Sequence, residues 1–265
     1  MADPVIKIKN LVKRFGDRAV LDGIDIAIPE GKITVIMGGS GCGKSTLLRH
    51  LIGLHQPTSG EVWVDGRNIA GLDEKGMNEV RKKFGMLFQG SALFNSMTVG
   101  QNVAVPLKEH TDLSPEIIKI IVRVKLELVG LTGFENFMPH EISGGMKKRV
   151  ALARAIALDP KIVFYDEPGA GLDPITASMI DRLILDLSKK LSITSVVVTH
   201  EMKSAFRIAD QIVILQKGKV IQVGTAEEIQ NSKNAYVRQF IQGESEGAIP
   251  FKQTSEAYLK GLLDT

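Results

Sequence analysis

One stretch near the N-terminus limits what this chain can fold into more than any other. Residues 38–45 read Gly-Gly-Ser-Gly-Cys-Gly-Lys-Ser and fit the pattern G-x-x-x-x-G-K-[ST]. An apolar run, 33–37, precedes them, and the good helix formers Leu47, Leu48 and Arg49 follow. Glycines let consecutive backbone N–H groups surround an anion, and the helix dipole points its positive end at the same anion. The sequence therefore predicts a strand, a phosphate-binding loop and a helix that bind a nucleoside triphosphate.

Two side chains of this loop have separate predicted tasks. Lys44 is expected to bridge the β- and γ-phosphates, and the Ser45 hydroxyl is expected to complete the coordination shell of Mg²⁺. A glycine-rich turn without a function is the alternative, and the flanking strand and helix argue against it. Cys42 is interpreted as a small side chain at a permissive loop position rather than as a redox switch.

Composition narrows the class of protein. The 265 residues include 33 basic and 30 acidic side chains, a balance that gives no support to nucleic-acid binding. The single cysteine excludes an internal disulfide. The longest apolar runs, such as 195–198 and 212–215, are strand-sized, and the N-terminus lacks the features of a signal peptide. Work at a membrane would therefore need a partner that holds the chain there.

The periodicity of apolar residues divides the chain into a core and an insertion. Residues 24–28 alternate apolar and polar, whereas 162–165 and 193–198 read as buried strands. Between about 98 and 158 the spacing becomes helical. We expect an α/β core on either side of an inserted helical lobe.

Helix starts are marked by residues that favour capping. Ser114 precedes Pro115, which predicts a helix whose first turn is capped by the serine hydroxyl. Thr225 begins a capping box that opens a last helix, and the tail from Gly243 carries only weak structural signals.

A pair of acidic residues follows the buried strand 162–165. This strand delivers Asp166 and Glu167 to the carboxyl edge of the predicted sheet, where ligands bind in open α/β folds. Asp166 is expected to hold Mg²⁺ through the water shell of the metal, since this hard ion prefers oxygen ligands. Glu167 is expected to position and polarise an attacking water. An acidic strand end without a function is the alternative, and the phosphate-binding loop argues against it.

A third motif narrows the field further. Residues 141–149 read Glu-Ile-Ser-Gly-Gly-Met-Lys-Lys-Arg and precede a helical run. Ser143 is expected to cap that helix, and the two glycines after it expose backbone N–H groups, which makes a second anion site. With these motifs in order from Phe15 to about Gly224, the chain resembles the ATP-binding-cassette (ABC) ATPases. The resemblance implies an enzyme that hydrolyses ATP to ADP and phosphate.

The resemblance also implies a fold. Its class is α/β, a P-loop NTPase core (the ABC nucleotide-binding domain) with an antiparallel β subdomain and an inserted helical subdomain. Residues 1–97 and 159–242 would form the RecA-like and antiparallel-β ATPase core, and 98–158 the helical subdomain with the signature motif. Residues 243–265 would form a C-terminal extension that binds a partner.

Residue roles come with the same resemblance. Phe15 matches the aromatic that stacks on adenine, with a plain core phenylalanine as the alternative, and His200 matches the switch histidine that contacts the γ-phosphate. Gln89 matches the glutamine that touches Mg²⁺ and water and senses a membrane partner. The implied catalytic residues are Glu167, His200, Gln89 and Lys44, and the implied metal ligands are Ser45, Gln89 and Asp166. The implied ATP-binding residues are Phe15, Gly38, Gly39, Ser40, Gly41, Cys42, Gly43, Lys44, Ser45 and Thr46, with Ser143, Gly144, Gly145 and Asp173 completing the site of the opposite subunit in a homodimer.

Within the ABC ATPases, three stretches favour one branch. Residues 86–94, residues 103–111 and the signature ending in Met146, where glutamine is usual, are similar to the ATPase subunit of the Mla phospholipid transporters. That resemblance implies phospholipid movement between the inner membrane and a periplasmic carrier, in the service of outer-membrane lipid asymmetry. The implied partners are an integral-membrane permease dimer, a small STAS-type accessory subunit and a periplasmic lipid-binding (MCE) protein. The ATPase would lie peripherally at the cytoplasmic face of the inner membrane.

The tail carries a further part of this resemblance. Residues 249–251 and Tyr258 are similar to the extension by which that branch clasps its partner ATPase, and an unstructured terminus is the alternative. Two other functions stay open at this point. An importer ATPase for a small soluble solute would share every catalytic residue. A nucleotide-gated clamp outside transport is disfavoured because the chain lacks a second cassette, a coiled-coil insert and a basic face.

Overall fold

The computed structural model describes residues 4–244. In this part of the chain a short 3₁₀-helix, Pro139–Glu141, accompanies the regular elements. The strands are β1 (Pro4–Phe15), β2 (Arg18–Pro29), β3 (Ile33–Gly38), β4 (Ser59–Val64), β5 (Arg67–Asn68), β6 (Phe84–Leu87), β7 (Ile162–Asp166), β8 (Thr194–Val198), β9 (Gln211–Gln216) and β10 (Lys219–Gly224). The helices are α1 (Lys44–Leu51), α2 (Glu74–Arg81), α3 (Val99–His110), α4 (Pro115–Leu128), α5 (Gly144–Ala155), α6 (Pro174–Leu191), α7 (Met202–Ile208), α8 (Ala226–Gln230) and α9 (Ala235–Gln242).

A sheet ordered β10-β9-β3-β8-β7-β6 forms the centre of the fold. Its strands β9, β3, β8, β7 and β6 run parallel, and β10 returns antiparallel to β9. Strands β3 and β8 are buried along their whole length, which explains why their sequences are mostly apolar. Because parallel strands end at one edge of a sheet, the residues that follow β3, β6, β7 and β8 meet there.

A second sheet, ordered β2-β1-β4-β5, is antiparallel and lies against α1. Its apolar side chains share a core with Leu47 and Leu51 of that helix. Strand β2 also approaches the loop before α1. A Cβ atom at Gly43, whose φ is +109°, would lie 2.8 Å from Cδ2 of Leu21, so only glycine fits there. The antiparallel sheet thereby fixes the phosphate-binding loop from behind.

Helices α3, α4 and α5 are inserted between β6 and β7, as the change of periodicity predicts. They pack around a shared core that includes Val103, Val122 and Val150. The predicted cap of α4 is wrong in one respect, because the Ser114 hydroxyl accepts no hydrogen bond from a backbone N–H of the first turn. The backbone N–H of Glu116 and the Ser114 hydroxyl instead both bond the Glu116 carboxylate and lower its pKa.

Two further predictions concern membrane-spanning helices and the C-terminal extension. Residues 4–244 contain no helix long and apolar enough to cross a membrane. The predicted extension starts at Gly243, directly after α9 ends at Gln242, but the predicted partner-binding residues 249–251 and Tyr258 lie outside the described residues.

Candidate functional site

A cavity of about 730 Å³ opens at the carboxyl edge of the parallel sheet. Most of its lining was predicted from the motifs, and it brings together segments that follow four different strands. The predicted residues that line it are Gly38, Gly39, Ser40, Gly41, Lys44, Ser45, Gln89, Asp166, Glu167 and His200. The fold therefore gathers the predicted phosphate, metal and catalytic residues into one place.

The phosphate-binding loop is shaped for a close ligand. Gly43 occupies the N-cap of α1 in a left-handed conformation, and no side chain bonds the N–H groups of the first turn. The ammonium of Lys44 donates hydrogen bonds to the carbonyl oxygens of Gly38 at 2.6 Å and Gly39 at 3.1 Å, which holds this cation across the loop. Uncapped N–H groups and a nearby ammonium together favour an anion at this helix end.

Side chains after β7 and β8 bond one another in the same cavity. Oε1 of Glu167 lies 2.9 Å from Nδ1 of His200, and Oε2 accepts a hydrogen bond from the Thr199 hydroxyl at 3.1 Å. The backbone of Glu167 is left-handed, with φ of +47°, and its N–H donates to the carbonyl of Val198 at 2.8 Å. Strand β8 thus fixes both the backbone and the carboxylate of Glu167.

Asp166 has the environment of a cation ligand. Burial raises the pKa of its carboxyl group and the neighbouring Glu167 raises it further, whereas Arg49, Lys148 and Lys44 oppose that rise. A divalent cation would relieve both causes, and the oxygen donors of Ser45 and Gln89 line the same cavity. No group of three His, Cys, Asp or Glu side chains in the described chain could hold a metal alone. Any metal here would therefore also use other oxygen donors, such as those of Ser45 and Gln89, water or a bound phosphate.

The predicted signature residues lie apart from this cavity. Ser143 is the exposed N-cap of α5, and its hydroxyl accepts a hydrogen bond from the backbone N–H of Met146 at 3.3 Å. A Cβ atom at Gly145 would lie 2.5 Å from Cγ2 of Thr176, so the start of α5 packs tightly on the first turn of α6. Asp173 caps α6 there by accepting two backbone N–H groups. Within one chain these residues do not meet the phosphate-binding loop.

Phe15 also lies outside the cavity, at the end of β1. Half of its surface is exposed, which argues against the alternative of a core phenylalanine. The ammonium of Lys13 lies 5.1 Å from its ring centroid, and the ring of His55 meets it edge-on at 5.8 Å. These two contacts orient an aromatic face that is available for stacking.

Sequence reasoning missed one wall of the cavity. Met202 and the end of α9, Phe240–Gly243, complete its lining, and Tyr236 of the same helix places its hydroxyl against Gly39. Burial raises the pKa of Tyr236, and a hydrogen bond from the Gly39 backbone opposes that rise. Nothing in the local pattern of α9 indicates a distant loop, so only the fold could reveal this contact.

The comparisons with known proteins agree with this geometry. The ABC transporter family matches residues 21–170, and the chain belongs to that family. It is 45% identical over 264 residues to the intermembrane phospholipid transport system ATP-binding protein MlaF of Haemophilus influenzae, with all of both chains covered. It is also 40% identical over 263 residues to the probable ribonucleotide transport ATP-binding protein mkl of Mycobacterium tuberculosis, covering 98% of this chain and 73% of that protein.

A solved structure extends the likeness to the fold. The dimeric post-hydrolysis state of the ATP-binding cassette MJ0796, bound to ADP and phosphate, superposes with a TM-score of 0.76. The two are 34% identical, over 83% of this chain and 98% of the other. These findings confirm the family and the α/β fold class that the motifs predicted. The protein is an ATPase of the ABC transporter family.

Proposed function

We propose that this ATPase drives the movement of phospholipid between the inner membrane and a periplasmic carrier, in the service of outer-membrane lipid asymmetry. The observation that carries this proposal is the 45% identity to H. influenzae MlaF over the full length of both chains. The mkl protein of M. tuberculosis is less similar, and this chain spans only 73% of its length. A phospholipid substrate is therefore favoured over a soluble nucleotide.

We assign the chemistry of ATP hydrolysis to the residues of the cavity. Phosphoryl transfer needs positioning and charge stabilisation more than covalent chemistry. Lys44 and the N–H groups of α1 would neutralise charge on the β- and γ-phosphates. Ser45, Gln89 and Asp166 would hold Mg²⁺, which supplies positive charge against the phosphate oxygens when bound.

Glu167 would orient and polarise the attacking water. Its carboxylate is already aimed by the hydroxyl of Thr199 and by His200, so little reorganisation is needed before reaction. The imidazole of His200 would contact the γ-phosphate once nucleotide enters. Because the same ring bonds the Glu167 carboxylate, His200 would have two alternative hydrogen-bond partners.

The second anion site supports a split active site. Ser143 and Gly144 are exposed, whereas Gly145 is buried against Thr176 of α6, and none of the three lines the cavity of their own chain. We propose that in a homodimer they close the cavity of the opposite copy, with Asp173 linking the two sites. ATP would hold the two copies together, and its hydrolysis would release them.

A separate groove offers a surface for the permease. It has a volume of about 460 Å³ between β6, α3 and α5, and its lining includes Met86, Phe88, Phe94 and Pro106. Phe88 and Phe94 are large apolar side chains left exposed beside Gln89. We propose that a cytoplasmic helix of an integral-membrane permease dimer occupies this groove, which would keep the ATPase at the cytoplasmic face of the inner membrane. A small STAS-type subunit and a periplasmic MCE protein complete the proposed complex.

Purification of the native complex from membranes would test this function. We expect an integral-membrane permease to copurify, with phospholipid identified by mass spectrometry of the extracted complex. In vesicles, ATP should then drive transfer of labelled phospholipid to or from the carrier, and a complex carrying Glu167→Gln should not. Stimulation of ATP turnover by ribonucleotides instead of lipid would favour the mkl-like alternative. If the ATPase were purified from membranes without any permease, a role in transport would be rejected.

A further inference from the structure

The signature helix α5 reaches the catalytic cavity from behind. One turn after its exposed start, Lys148 is buried, with only 4% of its surface exposed. Its ammonium donates hydrogen bonds to the backbone carbonyl of Gln89 and, at 3.4 Å, to that of Glu167. One buried cation therefore joins the signature helix to the segments that follow β6 and β7.

A buried lysine destabilises the folded state unless other groups compensate the loss of water around its ammonium. Burial disfavours an ammonium and lowers the pKa of Lys148, while the carboxylates of Asp166 and Glu167 oppose that change. Two main-chain carbonyls and two nearby carboxylates thus compensate the loss of water. The contacts that hold the ammonium are all parts of the catalytic cavity.

Both segments held by Lys148 have main chains that need support. Glu167 has a left-handed backbone, with φ of +47°, which few residues other than glycine adopt without help. After Gln89, the residues Ser91 and Ala92 are left-handed in succession, with φ of +63° and +48°. Arg154, later on α5, donates to their carbonyls at 2.8 and 2.7 Å. Helix α5 therefore carries two cations that hold main chain beside the cavity and beside the apolar groove.

We propose that Lys148 is a positioning residue for ATP hydrolysis, which holds the backbones of Gln89 and Glu167 so that both side chains stay aimed into one cavity. Because Lys148 is part of the signature helix, a tilt of α5 would move these two backbones together. The movement that closes the signature helix on a second copy would therefore also align the carboxylate of Glu167. The inference depends on the roles proposed for Gln89 and Glu167 but not on the transported substrate.

Substitution of Lys148 by methionine tests this role with the full-length chain. Lys148→Met keeps the length of the side chain and removes the donors and the charge. We expect kcat for ATP to fall roughly 10- to 100-fold, because small displacements of reacting groups carry losses of that order, with KM changed by less than about threefold. Lys148→Arg, which restores donors and charge, should recover most of the lost kcat, and Lys148→Gln should be intermediate.

Lys125 provides a matched control. It is a lysine of the same inserted segment, equally buried with 5% exposed, and it is bonded to Asp159 rather than to a catalytic segment. Lys125→Met should leave kcat within about threefold of the parent, even if its thermal melting temperature falls. An equal loss of kcat in both variants, or full activity of Lys148→Met, would overturn the proposal. If Glu167→Gln alone stayed active while Lys148→Met did not, the role of Glu167 would fail instead.

Discussion

Two helices of this protein have glycines at or beside their first turn, and their N-terminal ends differ in capping. Helix α1 begins after Gly43, which leaves the first N–H groups without a side-chain cap, and Lys44 lies across the loop beside them. Helix α5 begins after Ser143, whose hydroxyl caps Met146 within the same turn. The first end lines an open cavity together with Asp166 and Glu167, whereas the second, at Ser143 and Gly144, lies exposed on the surface.

The difference shows how one chain can carry two unequal halves of a site. An uncapped helix end beside an ammonium binds an anion by itself. A capped end is stable without a ligand and can wait at the surface for a phosphate presented by another molecule. Only the first end lines the same cavity as the Glu167 side chain, so we expect each copy to supply chemistry at one cavity and closure at the other.

The largest effect is expected from a variant that stops hydrolysis while ATP still joins the α1 end of one copy to the α5 end of the other. Glu167→Gln should lower ATP turnover by roughly 10²- to 10⁴-fold, the range for loss of a general base. Nucleotide should still bind, so size-exclusion chromatography with ATP should show a persistent dimer. Glu201→Gln, which neutralises an exposed carboxylate next to His200, serves as the control and should keep turnover within about threefold. A monomeric Glu167→Gln protein at saturating ATP would contradict the split site.

Mixed dimers test the same comparison through complementation. Lys44→Ala disables the α1 end, and Gly144→Asp places a negative charge at the α5 end, where a Cβ atom has room 3.7 Å from Leu172. Each variant alone should lose at least about 100-fold in turnover. An equal mixture should recover up to about a quarter of the parent rate, because half of the dimers then hold one intact site. A mixture no more active than its components would place both ends in the same chain.

The α1 end and the cavity position of Asp166 and Glu167 could be predicted from the sequence because each depends on a short-range pattern. The pattern of a strand followed by Gly38–Ser45, or by Asp166 and Glu167, spans only about ten residues, so it can be recognised locally. The parallel sheet then had to bring these strand ends together, which the alternation of elements indicated. Most residues that line the cavity could therefore be named before their distances were known.

The missed contacts are those that connect remote segments. Lys148 is separated from Gln89 by 59 positions, and on the helix it reads like any basic residue beside Lys147. Tyr236 and Phe240 fit the amphipathic pattern of α9 and gave no sign of lying against the phosphate-binding loop. Periodicity tells which face of a helix is buried but not what that face meets, and these contacts needed the tertiary fold.

Phe15 sharpens the comparison because the contact proposed for it, stacking on adenine, would belong only to the α1 half of the site. Phe15→Leu should raise the KM for ATP roughly 5- to 150-fold, since stacking of a base on an aromatic ring contributes about 1–3 kcal/mol, and should leave kcat nearly unchanged. Phe15→Trp should retain affinity. Phe137→Leu changes a similarly exposed phenylalanine of the inserted segment and should affect neither constant. A loss of kcat without a change in KM would show that Phe15 supports the catalytic residues rather than the base.

The smallest expected effect concerns the α5 end. Met146 offers its backbone N–H to Ser143, while its side chain packs against the larger core. Because phosphate contact at this helix end would come from the backbone and from the serine hydroxyl, Met146→Gln should change kcat/KM by less than about threefold. The melting temperature should fall slightly, since a polar amide replaces a half-buried apolar side chain. Steady-state kinetics and a thermal melt measure both. A tenfold change in kcat/KM would mean that the capped helix end also uses a side chain at position 146, and the contrast with α1 would have to be redrawn.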